Sequence, residues 1–346
     1  MLPTLTPILS DKELFQLMAL IRPSHKVVIC GHRSPDGDAL GSALGWAEYL
    51  KNLGKYVTIV MPNPFPDFLY WLPGSKQVVF HSLHNERACK AFEEADLIFC
   101  LDFNAISRLQ DMADLVRKAR ATRVIIDHHL NPEAEMADMV ISRPQMCSTS
   151  EIVLRLIDAL GAYEDLSHAG ATALYTGMMT DTGGFTYASS NPEIYLLISM
   201  LLSKGIDKDK IYRNVFYSFS ENRLRLMGYI LHEKLQFYEN HKASLFTMTR
   251  AEMKEFHFIR GDAEGLVNLP LQVRGMRLSI SLREDTEKDV VRVSLRSVDD
   301  FPCNKMAEQF FNGGGHLNAS GGELPFPLEE AVKTAEAAIQ AYKDLL

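Results

Sequence analysis

The rhythm of hydrophobic and polar positions changes once along this chain. In the N-terminal part, short runs rich in Val, Ile and Leu recur: K-V-V-I-C at 26–30, Y-V-T-I-V at 56–60, Q-V-V-F at 77–80, L-I-F-C-L at 97–101 and R-V-I-I at 123–126. Runs of that length without alternation read as strands buried on both faces. Helix-like stretches, such as 38–53 and 107–119, separate most of them. Strand and helix in alternation predict an α/β fold with a doubly wound, largely parallel sheet. Residues 149–162, 167–180 and 191–204 read as helices completing that domain, and the breaker-free amphipathic segment 221–235 as a connecting helix. Beyond it the texture changes. A-S-L-F-T-M-T (243–249), M-R-L-S-I-S-L-R (276–283) and V-V-R-V-S-L-R-S (290–297) alternate polar and apolar, as half-exposed antiparallel strands do. The expected division is a first domain over 1–205, a helical linker over 206–235 and a smaller α+β domain over 236–346.

Composition narrows the function classes. The 346 residues carry a net charge of −8, which argues against a broad basic surface for a long polyanion. A short anion held by a few positive groups and metal ions fits better. The five cysteines are scattered with no C-x-x-C pair, as in a reduced cytoplasmic protein without structural zinc. No signal peptide and no membrane-length apolar run are expected.

The chemistry concentrates where strands end. H-R-S-P-D-G-D follows the first run and brings His32, Asp36 and Asp38 into one loop, with Pro35 and Gly37 making a tight turn. Asp102 directly follows L-I-F-C-L, and Asp127, His128 and His129 end R-V-I-I. Asp181 lies in M-T-D-T-G-G-F, at the end of a helix-like segment. A carboxylate emerging from a buried strand must be paired or metal-bound to offset its desolvation. Imidazole plus carboxylates suits Mn²⁺, Mg²⁺ or similar divalent ions. Two such ions about 3.5–4 Å apart would serve phosphoryl transfer, and Asp102 is the residue placed to bridge them. Ser148 with Glu151 reads as a helix capping box rather than as chemistry. Tyr175, Phe185 and Tyr187, around the fourth motif, read as core, with stacking of one of them on a base as the lesser alternative.

In this order, H-x-x-P-D-G-D-A, the strand-end Asp, D-H-H and T-D-T-G-G-F resemble the DHH phosphoesterase superfamily. G-G-G-H-L-N-A-S-G-G at 313–322 resembles the glycine-rich signature of its accessory DHHA1 domain. The overall pattern is most similar to the stand-alone branch of bifunctional oligoribonucleases and 3′-phosphoadenosine-5′-phosphate (PAP) phosphatases.

The resemblance implies that 1–205 is the catalytic domain and that two divalent cations, Mn²⁺ foremost, are its cofactors. His32, Asp36 and Asp102 would hold one ion, and Asp38, Asp102, His128 and Asp181 the other. His129 would touch the scissile phosphate or stand behind a ligand, and Asp127 would orient a histidine. Arg283, Arg296, Ser297, the Gly313, Gly314 and Gly315 loop and His316 would hold the terminal nucleotide or its phosphate. Arg292 and Arg260 are further candidates. The implied substrates are short RNA and PAP, with no long nucleic acid and no membrane partner, and a homodimer is compatible. The competing expectations are a phosphodiesterase for cyclic di-AMP or pApA and, in a different class, a non-catalytic nucleotide sensor.

Overall fold

The computed structural model of the chain describes residues 5–259 and 261–346. Its contacts divide it into two compact units, one ending at Ser218 and the other spanning Phe219–Leu346.

The first unit runs α1 (Asp11–Ile21), β1 (Lys26–Cys30), α2 (Gly37–Asn52), β2 (Tyr56–Met61), β3 (Val79–Phe80), α3 (Asn85–Glu93), β4 (Leu97–Leu101), α4 (Ala113–Lys118), β5 (Thr122–Asp127), β6 (Met139–Ser142), α5 (Thr149–Ala159), α6 (His168–Asp181), α7 (Pro192–Ser203) and α8 (Lys208–Phe216). Its six strands form one parallel sheet in the order β3-β2-β1-β4-β5-β6. The order reverses between β1 and β4, so their carboxyl ends flank the crevice where ligands bind in doubly wound sheets. Every residue of β4 is buried, because helices cover both faces. Leu17, Trp46, Leu50, Ile152 and Leu174 pack on one face, and Phe92, Phe103 and Val116 on the other. Each such side chain contributes about 1.5–3 kcal/mol by leaving water.

The expected strands and helices of this unit are present, with two differences. Residues 107–119 are not one helix: a 3-10 segment, Ile106–Met112, precedes α4, and Gln110 interrupts it with φ 46°. β6 has only four residues at the sheet edge, too short to stand out in sequence.

The second unit runs α9 (Glu221–Tyr229), β7 (Gln236–Tyr238), β8 (Ala243–Met248), α10 (Arg250–Glu255), β9 (Leu278–Glu284), β10 (Val290–Ser297), α11 (Cys303–Phe310), β11 (Gly314–His316), β12 (Ala319–Pro325) and α12 (Leu328–Ala341). Its mixed sheet has the order β11-β12-β10-β9-β8-β7. β8 and β9 pair in parallel, where antiparallel strands were expected. The long crossover between them, holding α10, returns the chain in the same direction. β8 is also buried on both faces: Leu245 belongs to one apolar cluster and Phe246 to another. The segment 221–235 ends as an α-helix at Tyr229 and continues as a π turn, Ile230–Lys234. No helix among the described residues is long and apolar enough to cross a membrane.

Candidate metal centre

Four chain segments meet at the carboxyl ends of β1, β4 and β5. After β1 the chain turns through His32 into α2, where Asp36 is the N-cap: its Oδ1 accepts from the amides of Asp38 and Ala39 at 2.9 and 3.0 Å. Asp102 follows β4 in the left-handed conformation, φ 63°, which Asp tolerates better than most residues. Asp127 and His128 end β5, and Asp181 ends α6.

The side chains converge on Asp102, which is 2% exposed. One oxygen, Oδ2, lies 3.4 Å from His32 Nε2, and that nitrogen is 3.9 Å from Asp36 Oδ2. The other, Oδ1, lies 3.6 Å from His128 Nε2, which is 3.3 Å from Asp181 Oδ2 and 4.0 Å from Asp38 Oδ2. Two donor groups of metal-binding size therefore share one carboxylate: His32, Asp36 and Asp102 on one side, Asp38, Asp102 and His128 on the other.

Both histidines are oriented from behind. His32 Nδ1 lies 2.8 Å from the Arg33 carbonyl and His128 Nδ1 3.4 Å from that of Met146. Donation to these carbonyls turns each Nε2 towards the acids, where a neutral imidazole would offer its lone pair to a metal ion. His129 Nδ1 contacts Asp127 Oδ1 at 2.7 Å, and the buried Asp127 Oδ2 has no hydrogen-bond partner among the described residues.

The electrostatics are those of a site built for cations. Burial, reinforced by the charges of Asp38 and Asp36, holds Asp102 well above the usual carboxylate range. Burial also pushes Asp181 up to about 8, against the opposing pull of His128 and with Asp38 and Asp36 adding to the rise. Burial alone would lower His128, but Asp181, Asp102 and Asp38 outweigh it and lift it to about 9. Protons thus hold together a cluster whose carboxylates would otherwise repel. Divalent cations would take over that role and return the acids to their ionised forms. Nitrogen and carboxylate donors without thiolates fit a divalent ion such as Mn²⁺ or Mg²⁺.

Thr149 and Ser150 contribute to this geometry without any signal in the sequence motifs. At the start of α5, their amides donate to Asp38 at 2.6 and 2.8 Å, and the Thr149 hydroxyl donates to Asp102 Oδ1 at 2.9 Å. The helix N-terminus thereby anchors a carboxylate. Ser148 accepts from the Glu151 amide as a cap should. The Glu151 carboxylate does not complete the box: it accepts from the Cys147 amide and pairs with Arg155.

A second missed signal is the spacing of Gly37, Gly41 and Gly45 along one face of α2. That face packs on α6 so closely that a Cβ on Gly41 would lie 2.4 Å from the Ala173 carbonyl oxygen. Gly177 of α6 would meet Ser150 Oγ at 2.0 Å in the same way. The helices run antiparallel, with Gly37 against Thr180 and Glu48 taking the Ser167 amide at 2.8 Å. This close contact brings the start of α2 and the end of α6, hence Asp38 and Asp181, to one place. Tyr175 is buried, with Phe185 beside it at 5.7 Å, whereas Tyr187 is 49% exposed.

The remaining expected residues lie in the second unit. Gly314–His316 forms the edge strand β11, paired with Ala319–Gly321. The glycines serve close approach there: Gly315 has φ 143°, and a Cβ on Gly313 would lie 1.9 Å from the Gly321 carbonyl oxygen. Arg296 is on β10, level with Ala319 of β12 and with Ser279 of β9. Ser297 is buried, donates to the Phe301 carbonyl at 2.8 Å and accepts from Asn318 at 2.9 Å, so it ties down the 297–303 turn. Arg283 sits over the Phe258 ring at 5.3 Å. Arg292 is engaged by Asp285 and Glu323 at 2.7 and 2.6 Å. Arg260 lies outside the described residues.

Comparison with known proteins agrees with these two units. The DHH family N-terminal domain matches residues 26–178, and the DHHA1 domain matches residues 249–342. The crystal structure of an exopolyphosphatase-related protein from Bacteroides fragilis is 50% identical, with a TM-score of 0.93 over 99% of each chain. A bifunctional oligoribonuclease and PAP phosphatase NrnA from Thermus thermophilus is 29% identical over 91% of this chain and 89% of its own. A cyclic-di-AMP phosphodiesterase PdeA from Listeria monocytogenes is 26% identical over 94% of this chain, which spans only 49% of that relative. This chain belongs to the DHH family of phosphoesterases and carries the DHHA1 domain as its second part.

Proposed function

We propose that this protein is a Mn²⁺-dependent phosphohydrolase that degrades short oligoribonucleotides to mononucleotides and converts PAP to AMP. The observation that carries the reading is the pair of donor groups sharing Asp102. His32, Asp36 and Asp102 would hold one ion, and Asp38, Asp102, His128 and Asp181 the other. When bound, the ions supply charge neutralisation at the scissile phosphate and an activated water. The chain does the rest. Thr149 and Ser150 fix Asp38, the Arg33 and Met146 carbonyls fix the two ligand imidazoles, and Asp127 orients His129 through Nδ1. In the second unit, Arg283, Arg296 and the Gly313–His316 segment would hold the nucleotide end, with Ser297 maintaining the turn beside them.

Support for this substrate class comes from the relative with that printed activity, which this chain matches over nearly its whole length. A cyclic-di-AMP or pApA phosphodiesterase is the second reading, favoured by the match to PdeA, although this chain spans about half of that protein. The five cysteines are all free, which suits a reducing cytoplasm.

The test is a comparison of rates on 5′-labelled RNA of two to twenty nucleotides, PAP, pApA and cyclic di-AMP, each with Mn²⁺ and with Mg²⁺. Fast mononucleotide release from the shortest RNAs and phosphate release from PAP are expected. Preferred turnover of cyclic di-AMP or pApA would select the second reading. No turnover of any of them, with wild type and Asp102→Ala alike, would reject both.

A further inference from the structure

The loop that follows Asp181 packs against a group of exposed aromatic rings. Gly183 and Gly184 both have positive φ, and their missing side chains leave room for tyrosines. A Cβ on Gly183 would lie 2.3 Å from the Tyr187 ring, and one on Gly184 would lie 3.2 Å from Tyr212 of α8. Tyr212 in turn packs against Phe216, ring centroids 4.8 Å apart, and against Tyr217, 5.3 Å apart and edge-on at 78°.

This group is not core. Tyr217 is 72% exposed, Tyr187 49% and Tyr212 39%. Large rings gathered in solvent beside a site point to a flat apolar ligand, because singly scattered exposed aromatics are common while clusters are not. The patch lies in the 179–248 stretch, between the segments matched by the two family domains, 26–178 and 249–342.

We propose that Tyr212 and Tyr217 form a base-stacking subsite of the phosphohydrolase site, with Tyr187 as its inner wall. A nucleotide whose phosphate lies at the Asp181 end would lay its base on these rings. Stacking needs only a π face, so the subsite accepts all four bases. It selects nucleotides over bare phosphate chains, to which a ring offers nothing. The inference rests on the proposed nucleotide reading and adds to it the group that tells a nucleotide from a polyphosphate.

The experiment is calorimetric titration of the Mn²⁺-loaded protein with AMP and with ribose 5-phosphate, which differ only in the base. Because binding is read rather than turnover, the result does not depend on whether the oligoribonucleotide assay succeeds. Wild type is expected to bind AMP on the order of 10-fold more tightly or better, the measured range for one stacked base. In the double variant Tyr212→Ala, Tyr217→Ala that preference should vanish while ribose 5-phosphate binds unchanged. Tyr217→Phe, which keeps the ring, should retain it. A preference for AMP that survives the double substitution, or an equal loss for both ligands, would overturn the proposal.

Discussion

Asp38 and Thr149 are 111 residues apart in sequence, yet the Asp38 carboxylate accepts the Thr149 amide at 2.6 Å. The same threonine donates its hydroxyl to Asp102 at 2.9 Å. One residue at the start of α5 therefore orients two carboxylates of the candidate centre. Thr149→Val keeps the amide and the shape and removes the hydroxyl. The expected result is a fold that melts within a few degrees of wild type and a Mn²⁺ affinity reduced about 10–100-fold, as for other outer-shell partners. Calorimetry with Mn²⁺ and a melting curve together check it.

Asp102 serves both donor groups, so its loss should disable both. In Asp102→Asn the measured metal content should fall from two ions per chain towards none, with phosphohydrolase activity lost by several orders of magnitude. Metal analysis after gel filtration is the measurement. Retention of two ions would show that another residue does the bridging.

Removing the cations from wild type should also cost stability. The buried acids repel one another unless protons or metal ions compensate, and any ligand bound only by the folded state stabilises it by mass action. Chelation at pH 8 should lower the melting temperature by several degrees, and added Mn²⁺ should restore it. An unchanged melting curve would contradict this.

Gly177 lies where α6 meets both α2 and α5. A Cβ there would sit 2.0 Å from Ser150 Oγ and 2.9 Å from Asp38 Oδ1. Gly177→Ala must push Ser150 and Asp38 aside, so it should destabilise the fold by about 1–3 kcal/mol, as overpacking does, and weaken Mn²⁺ binding as well. Gly228, whose side is open and whose φ is not positive, provides the control position for urea unfolding.

In the second unit, the Asp285–Arg292 pair gives a pH-dependent test. Burial opposes ionisation of Asp285, but the Arg292 guanidinium and the amides of Glu287 and Lys288 outweigh it and lower its pKa from 3.8 to about 2. Because the folded-state value is depressed, its stabilising contribution is full above about pH 4 and is lost as pH falls towards 2. Asp285→Asn should cost about 1 kcal/mol at pH 6, allowing for solvent screening of the pair. The difference from wild type should shrink at pH 3. Urea midpoints at the two pH values decide it.

Much of the candidate centre was legible because strand ends in a parallel sheet are predictable from short apolar runs. H-R-S-P-D-G-D, Asp102 and D-H-H each follow such a run, and parallel pairing in register places their ends side by side. Asp181 was legible only through the motif T-D-T-G-G-F, because it ends a helix rather than a strand. Thr149 was not legible: a threonine after a capping serine looks like any helix start, and its partners are 47 and 111 residues away. Gly41 and Gly177 were missed for the same reason, since a helical glycine shows its purpose only when the facing helix is known. Ser297 was a candidate only through the resemblance of R-S at 296–297, and the contact of its hydroxyl with the Phe301 carbonyl has no local signal.

Local composition by itself determined the alternation of strand and helix, the acids and imidazoles at the strand ends and the change of texture near the second unit. These follow from backbone geometry and burial, which act over a few residues. Tertiary structure decided which atoms face one another. It set the Asp102 carboxylate between two imidazoles, seated Asp38 on the amides of α5, turned β8 parallel to β9 and gathered Tyr212 and Tyr217 beside the Asp181 loop. Each depends on contacts between distant segments, whose distances come from packing and not from any local pattern.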